Sequence, residues 1–494
     1  MRILSFARFK DILFNNKSVR QTVFKNTFWI TFAQCTTKLL KLILLIYVAR
    51  VLGATEYGKF SFALALTGFF ILFVDLGIPR ITTREFSKER EKERDFHSLF
   101  TLEVVLTLAV LGLIILSSFF ITSSLDIRKM IWLLAIYSVT HGLGGIIYAF
   151  FRARQQMQYE AFSAIFQAGA ITLLSFLVIF SFPSAQNLSY AYAIGGLIFI
   201  IFVLIFFHFK ISPLKIKFSK KIWKNYLSMS WPLALVGVLG LIYGQMDSVM
   251  MGFLNQITEV GWYTAAYRII GTIVIPASFI SSSFFPVLSK YFHESKVILQ
   301  RIFWKEIELM IIIASPIMIG GLVLASKIIE FVYGQEYLPA VSALQVLLIL
   351  AGISFVYNPF SHILIVANQQ KKIFGISFSG AVINIALNMI LIPKYTLYGA
   401  AVATLITWII MFLLFIICTF LFTPIKLSNL RFLTTIFFVI IASLIMYIFI
   451  SRQFIYNLHV LFSITIGCIV YFSILFLIDL ILGRFNYRFL EIRR

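Results

Sequence analysis

Along this chain, apolar residues come in long unbroken stretches separated by short polar ones. Neither the alternation of a half-buried strand nor the narrow apolar stripe of a soluble helix describes them. A helix rises about 1.5 Å per residue and needs about 20 apolar residues to cross hydrocarbon. Stretches that qualify lie near 28–50, 60–82, 98–121, 130–151, 161–182 and 189–208. After a lysine-rich gap they resume near 229–254, 261–288, 306–326, 341–366, 373–393, 397–422, 432–451 and 458–482. Because lipid gives backbone groups no partner outside the chain, continuous apolar runs predict helices rather than a barrel. The expected fold class is an all-α integral membrane protein with about fourteen transmembrane helices.

Composition agrees: 60% of residues are hydrophobic, only 13% are charged, and the mean hydropathy is +0.95, whereas a soluble domain carries about 25% charge. The formal net charge of +22 would suggest a nucleic-acid partner if it were clustered on a domain, but it is not. Most of the 42 Lys and Arg residues fall in one set of connections: 1–27, 84–97, 152–160, 209–228, 289–305, 368–372, 423–431 and the tail after 482. The opposite set holds only Arg50, Lys59, Arg128, Lys129, Lys327, Lys394 and Arg452. Positive loops stay inside, so both termini are expected on the cytoplasmic face of the cell membrane, beside anionic lipid, with no nucleic acid as partner.

The longest outward connection is expected around Lys327 to Ala340 and the longest inward one from Lys210 to about Ser228. No extramembrane domain is expected, so the helices must carry the function. The first 27 residues show no short apolar region followed by a cleavage site, so no removable signal is expected. Cys35, Cys418 and Cys468 lie inside apolar runs at spacings that match no metal motif. They are expected to be packing residues, with no metal or cofactor.

An internal repeat organises the chain. Ala54-Thr55-Glu56-Tyr57-Gly58-Lys59-Phe60-Ser61-Phe62-Ala63 aligns with Ile257-Thr258-Glu259-Val260-Gly261-Trp262-Tyr263-Thr264-Ala265-Ala266 at an offset of 203. A weaker echo, Ala153-Arg154-Gln155-Gln156 against Ala367-Asn368-Gln369-Gln370, has an offset of 214. Each match falls at the same place in the helix order, and equivalent helices cross in the same direction. The expectation is a parallel repeat: an N-lobe over 28–208, a basic linker over 209–228, a C-lobe over 229–422, and two added helices with the tail over 423–494. Two pseudo-symmetric six-helix lobes suit alternating access.

Several passages resemble one known group. Arg50-Val51-Leu52-Gly53 through Tyr57-Gly58 is similar to the motif closing the first helix of Wzx-type polysaccharide flippases, in the multidrug/oligosaccharidyl-lipid/polysaccharide exporter superfamily. So is Asp75-Leu76-Gly77 with Thr83-Arg84-Glu85, and so is Arg152-Ala153 with Met157 and Tyr159-Glu160-Ala161. Glu336-Tyr337 after Gly334 resembles an outer turn. Asn384, Asn388, Ile392-Pro393 and Gly399-Ala400-Ala401-Val402-Ala403-Thr404 resemble the eleventh and twelfth helices. The resemblance implies a MATE-like fold and, as substrate, an oligosaccharide carried on undecaprenyl pyrophosphate: an O-antigen, capsule or exopolysaccharide repeat unit. The same fold serves the lipid II flippase and drug/cation antiporters, which remain the alternatives.

Ionisable residues inside spans are costly, about 2.5–3.5 kcal/mol at the bilayer centre, and usually face a cavity or a partner. Gln34, Lys38 and Lys41 lie at i, i+4 and i+7 on one helix face, with Lys38 roughly 15 Å in from Phe28. They are candidates to bind the substrate's pyrophosphate. A lysine paired with a carboxylate for structure, or a tilted and wetter helix, is the plain alternative. Asp247 and Arg268 lie in adjacent spans, each roughly 10 Å from the outer turn; substrate contact by Arg268, ion coupling by Asp247, and a structural pair all stand. Asp75, Arg80 and Glu103 are candidates for an inner gate or a site for H+ or Na+, helix-end salt bridges being the plain alternative. His141 reads as a polar packing residue. The outward connections are short and lack a cluster of His, Arg and carboxylates, so a membrane enzyme is not expected. Besides the lipid-linked glycan and membrane lipids, the expected partner is the polysaccharide polymerase machinery.

Overall fold

A computed structural model describes residues 13–426 and 430–482. The first part of the basic N-terminal segment, part of the 423–431 connection and the expected C-terminal tail lie outside the described residues. The described chain is helical throughout: α1 Val19–Asp75, α2 Ile78–Lys88, α3 Phe96–Ile121, α4 Leu125–Ala153, α5 Met157–Ser181, α6 Ala185–Lys210, α7 Lys220–Phe253 and α8 Ile257–Ile273. It continues with α9 Ile275–Glu294, α10 Lys296–Tyr333, α11 Ala340–Val366, α12 Gln370–Phe422, α13 Leu430–Ile450, α14 Gln453–Tyr456 and α15 Val460–Leu482.

Two of these helices are too long to be single crossings. The 57 residues of α1 would span about 86 Å if straight, nearly three times the hydrocarbon thickness. Instead Gly53 takes φ 73°, ψ 172° and divides it. In α12 the break is Thr396, at φ 49°, ψ −128°. A Cβ on Gly399 would stand 2.3 Å from the Leu391 carbonyl oxygen, an approach no continuous helix allows across eight residues. Among the described residues twelve helical segments are long and apolar enough to cross a membrane. With these two divided, the expected fourteen crossings are present.

Serines set several helix starts. Ser18, Ser184, Ser219 and Ser295 each accept a hydrogen bond from the amide three residues on, satisfying a donor the helix cannot. Because Ser219 caps α7, the basic linker is non-helical only over 211–219. The outward connection is likewise shorter than expected, since α10 runs through Lys327 to Tyr333. The Lys327 ammonium donates to the Leu458 carbonyl at 3.0 Å and lies 4.4 Å over the Tyr456 ring. Its charge is thus met beside the helix and does not end it. The cysteines also depart from expectation: Cys35 and Cys468 are exposed on helix surfaces rather than packed.

Two compact units form, Met1–Gly261 and Trp262–Arg494. In the first, α4 packs on α6, α1 and α3, and Phe86, Phe96, Phe150, Phe199 and Phe207 fill its core. In the second, α11 packs on α10 and α12, and α13 on α15 and α10, around Leu324, Val439, Met446 and Tyr471.

The weaker sequence echo is a shared turn. Gln155 and Asn368 both sit at φ 57°, and each is followed by an amide that closes onto the carbonyl five residues back: Gln156 to Phe151 and Gln369 to Leu364, both 2.9 Å. This is the left-handed ending that satisfies last-turn carbonyls. The left-handed residues are 213 apart, one less than the sequence offset, because backbone geometry rather than the identical glutamines aligns the turns. Around Gln155, the buried Lys25 donates to its carbonyl at 2.9 Å and Asn26 to its side chain at 2.6 Å.

The stronger repeat is a physical contact. Thr55 and Thr258 hydroxyls meet at 3.0 Å. A Cβ on Gly58 would fall 1.9 Å from the Ile257 carbonyl oxygen, and one on Gly261 would fall 2.0 Å from that of Ala54. The threonines are 203 apart, and the same offset carries Gly58 to Gly261 and Ala54 to Ile257, so each contact is matched by its own image, as about a local two-fold axis. Glycine is required at both positions because backbone meets backbone there. Gly58→Ala is therefore expected to lower the thermal unfolding midpoint of the detergent-solubilised protein, by about 1–3 kcal/mol of overpacking. Gly240→Ala, where an added Cβ meets nothing, should leave the midpoint unchanged or raise it; equal loss in both variants would refute the close contact.

Candidate functional site

The first half of α1 has three distinct sides. At about 100° per residue, Trp29, Ala33, Leu44 and Val48 form a buried side. Phe28, Phe32, Leu39 and Ile43 form an exposed apolar side. Gln34, Lys38 and Lys41 form a third, exposed and polar, within about 60° of one another. The polar side closes one turn later, where Leu45 and Ala49 are buried. Lys38 is about 15 Å from Phe28 and about 22 Å from the break at Gly53, which places it deep between the ends of the crossing.

Lys41 lies within electrostatic reach of His141 on α4. The imidazole is reachable by solvent yet surrounded by protein, and its Nδ1 meets the Gln167 side-chain oxygen of α5 at 3.2 Å. His141 is thus hydrogen-bonded, as a polar packing residue would be, with the charge of Lys41 acting on it. A lysine with hydrogen-bonding groups nearby suits an anion.

A second group gathers where α1 ends. Asp75 accepts from the Gly77 amide at 3.1 Å, and the guanidinium groups of Arg80 and Arg152 act on it. Its charge in turn acts on Glu103. Of the sequence candidates, then, Asp75, Arg80 and Glu103 are brought together. Glu103, on α3, is completely buried, and neither carboxyl oxygen makes a hydrogen bond among the described residues. Arg80 is exposed.

The sequence reading left two members of this group unassigned. Arg152 closes α4 and grips Glu160 on α5 with both sides of its guanidinium, Nε to Oε2 at 2.7 Å and Nη2 to Oε1. Glu160 is 7% exposed. The signal was present, since both residues lie in the motif quoted for the turn, but a pair eight apart across a left-handed turn has no helical spacing to reveal it. Next door, Arg154 bonds Glu93 at 2.6 Å, and Lys92 bonds Glu85 at 2.8 Å.

Asp247, on α7, is 4% exposed, and Arg268, on α8, is half-buried. They belong to different compact units. Within the second unit, Asn388 donates to Asn384 at 3.2 Å and Asn384 to Thr404 at 3.4 Å, all three buried. That unit also holds an apolar cavity of about 450 Å³, lined among others by Pro276, Pro316, Gly320, Leu348, Met446 and Phe472, suited to hydrocarbon rather than to a polar head.

With this geometry in hand, the chain can be set beside known proteins. Residues 23–292 match the family described as "Polysaccharide biosynthesis protein". A Haloferax volcanii relative, "Probable low-salt glycan biosynthesis flippase Agl15", is 24% identical over 73% of this chain and 76% of its own. The "Capsular polysaccharide biosynthesis protein CapF" of Staphylococcus aureus is 22% identical over 78% and 96%. Among solved structures, the "Lipid II flippase MurJ, inward closed conformation" superposes with a TM-score of 0.76 at 19% identity, over 92% of this chain and 99% of that one. That likeness bears out the multi-helix membrane fold expected from the sequence.

The Arg152–Glu160 grip yields a stability prediction. Arg152→Ala leaves Glu160 without its partner and should lower stability by about 1–2 kcal/mol, less than for a fully buried pair because the Arg152 side chain is 42% exposed. Arg152→Lys should recover only part of this, as an ammonium cannot replace the two-pronged contact. Thermal unfolding in detergent measures both, and full recovery by lysine would show that charge alone matters.

Proposed function

From the premise that this chain belongs to the polysaccharide biosynthesis protein family, we propose that it is a flippase for lipid-linked oligosaccharide in the cell membrane. The cargo is an undecaprenyl-pyrophosphate-linked repeat unit of O-antigen, capsule or exopolysaccharide, moved by alternating access between lobes 28–208 and 229–422. The observation that carries this reading is the exposed polar side of α1. Lys38 and Lys41 stand about 80° or more away from the apolar exposed side, so they face away from the side that suits lipid. Two cations deep in a membrane protein attract a pyrophosphate head, with Gln34 as a further donor. The polyprenyl chain stays in hydrocarbon.

In this reading Asp75, Arg80, Glu103 and Asp247 gate the cavity or couple transport to H+ or Na+. Both termini are cytoplasmic, as the basic connections require, and the protein performs no covalent chemistry, handing its product to a polymerase. A drug/cation antiporter would need an acidic recess to receive cationic compounds, whereas here the exposed side of α1 is basic. The names of the relatives, a flippase and a capsule biosynthesis protein, support the same reading.

The test is complementation of a bacterium lacking its own O-antigen flippase, scored by surface polysaccharide. Restoration is expected from the natural chain. The double variant Lys38→Ala, Lys41→Ala should lose it at least about tenfold, equivalent to roughly 1.4 kcal/mol of lost head-group attraction, while inserting normally. Full surface glycan from the double variant would sink the electrostatic part of the proposal.

A further inference from the structure

Glu306, on α10, has no place in the site described so far. It is completely buried, ten residues into the helix and so about 15 Å from its basic-loop end. The Ser281 hydroxyl of α9 donates to its Oε1, and its Oε2 makes no hydrogen bond among the described residues. Ser281, itself fully buried, also interacts through its backbone with the ring of His362 on α11. His362 is half-buried, four residues from the end of α11, and packs edge-on against Phe285 at 5.4 Å. Its Nδ1 has no partner among the described residues. One serine therefore joins a sealed carboxyl to a histidine near the basic-loop side.

The position is not isolated in sequence. Glu306 lies 203 residues after Glu103, the offset that relates Thr55 to Thr258 and Gly58 to Gly261. Both carboxyls are completely buried on the third crossing of their repeat. A carboxyl in such a place is least costly as the neutral acid, and a group that is merely structural gains little from leaving an oxygen unpaired.

We propose that Glu306 is a proton-binding site, in repeat register with Glu103, that exchanges its proton with water from the side it shares with Ser281 and His362. Only O–H bonds change: the proton leaves water and is taken by a Glu306 oxygen, with the Ser281 hydroxyl holding the carboxyl in place. The groups acting on Glu306 are few. Ser281 faces it from α9, and no charged side chain among the described residues acts on it. α11 carries two titratable groups: His362, beside Ser281, and Tyr357, whose ring packs on Trp408 and Phe415 of α12. α13 and α15, which also pack on α10, present Val439, Ala442, Met446, Tyr471 and Leu475 to this helix's cluster. The use of this proton to drive transport rests on the proposed flippase reading; the binding itself does not.

The full chain, purified into nanodiscs, would be followed by infrared spectroscopy as pH is stepped from acid to alkaline in H2O and D2O. The expected result is a protonated-carboxyl C=O band that fades with rising pH and is lost in Glu306→Gln. His362→Gln should keep the band but slow its exchange for deuterium. Ser281→Ala, the second variant should Glu306→Gln fail to fold, should shift the band without removing it. A Glu306→Gln spectrum identical to the natural one would overturn the proposal, as would a band that persists at every pH. A parallel flipping assay in proteoliposomes under an imposed pH gradient separates the two ideas. If the natural chain flips no lipid-linked oligosaccharide while the band titrates, the transport reading fails and the proton site stands. If flipping responds to the gradient as strongly in Glu306→Gln as in the natural chain, the coupling role fails.

Discussion

Hydrocarbon supplies no hydrogen-bond partner, and nearly every feature of this molecule follows from that one deficiency. It forces the backbone into helices, so apolar length alone locates the crossings. It makes each helix end a problem to be solved by the protein, hence the serine caps and the left-handed turns at Gln155 and Asn368. It also sorts ionisable side chains into those with a partner, such as Glu160 held by Arg152, those exposed on a helix surface, such as Lys38, and those sealed inside the protein. Glu103 and Glu306 belong to the last group on burial alone.

The same deficiency explains why a repeat hidden in ten common residues has a structural consequence. Without a hydrophobic drive between helices in lipid, close packing of small residues must hold them. Gly58 and Gly261 let two backbones approach so closely that each carbonyl occupies the space of the other's missing side chain. A reciprocal contact of this kind constrains both copies at once, because a change at one site leaves its image unmatched. That is a physical reason for Thr-x-x-Gly to recur at an offset of 203 while the intervening residues Tyr57 and Val260 differ.

Much of this was legible beforehand and some was not. Fourteen crossings could be counted because apolar length is a one-dimensional property, and the polar side of α1 could be drawn because helical spacing is periodic. The assembly of Asp75, Arg80 and Glu103 was foreshadowed by their shared position near one membrane face. Arg152 with Glu160 escaped notice because a turn reverses the chain between them. Glu306 escaped for a different reason: it stands at the edge of a basic connection beside Lys305, where a glutamate reads as solvated. Only the 38-residue length of α10 carries it into the buried interior, and helix ends that overrun the apolar stretch cannot be read from hydropathy.

Charge is also divided in a way that transport of an anion would favour. At an effective dielectric of about 20, two unit charges 4 Å apart interact by about 4 kcal/mol. A carboxylate beside Lys38 or Lys41 would therefore neutralise most of what the lysines offer a pyrophosphate. Three carboxylates of the first unit are engaged or buried elsewhere: Asp75 is turned toward Gly77 and its arginines, Glu160 is gripped by Arg152, and Glu103 is sealed. Among the described residues neither Lys38 nor Lys41 has an ion pair, so the exposed side of α1 carries their charge. A carboxyl sealed in the interior of the first unit, as Glu103 is, does not compete with an anion for the lysines.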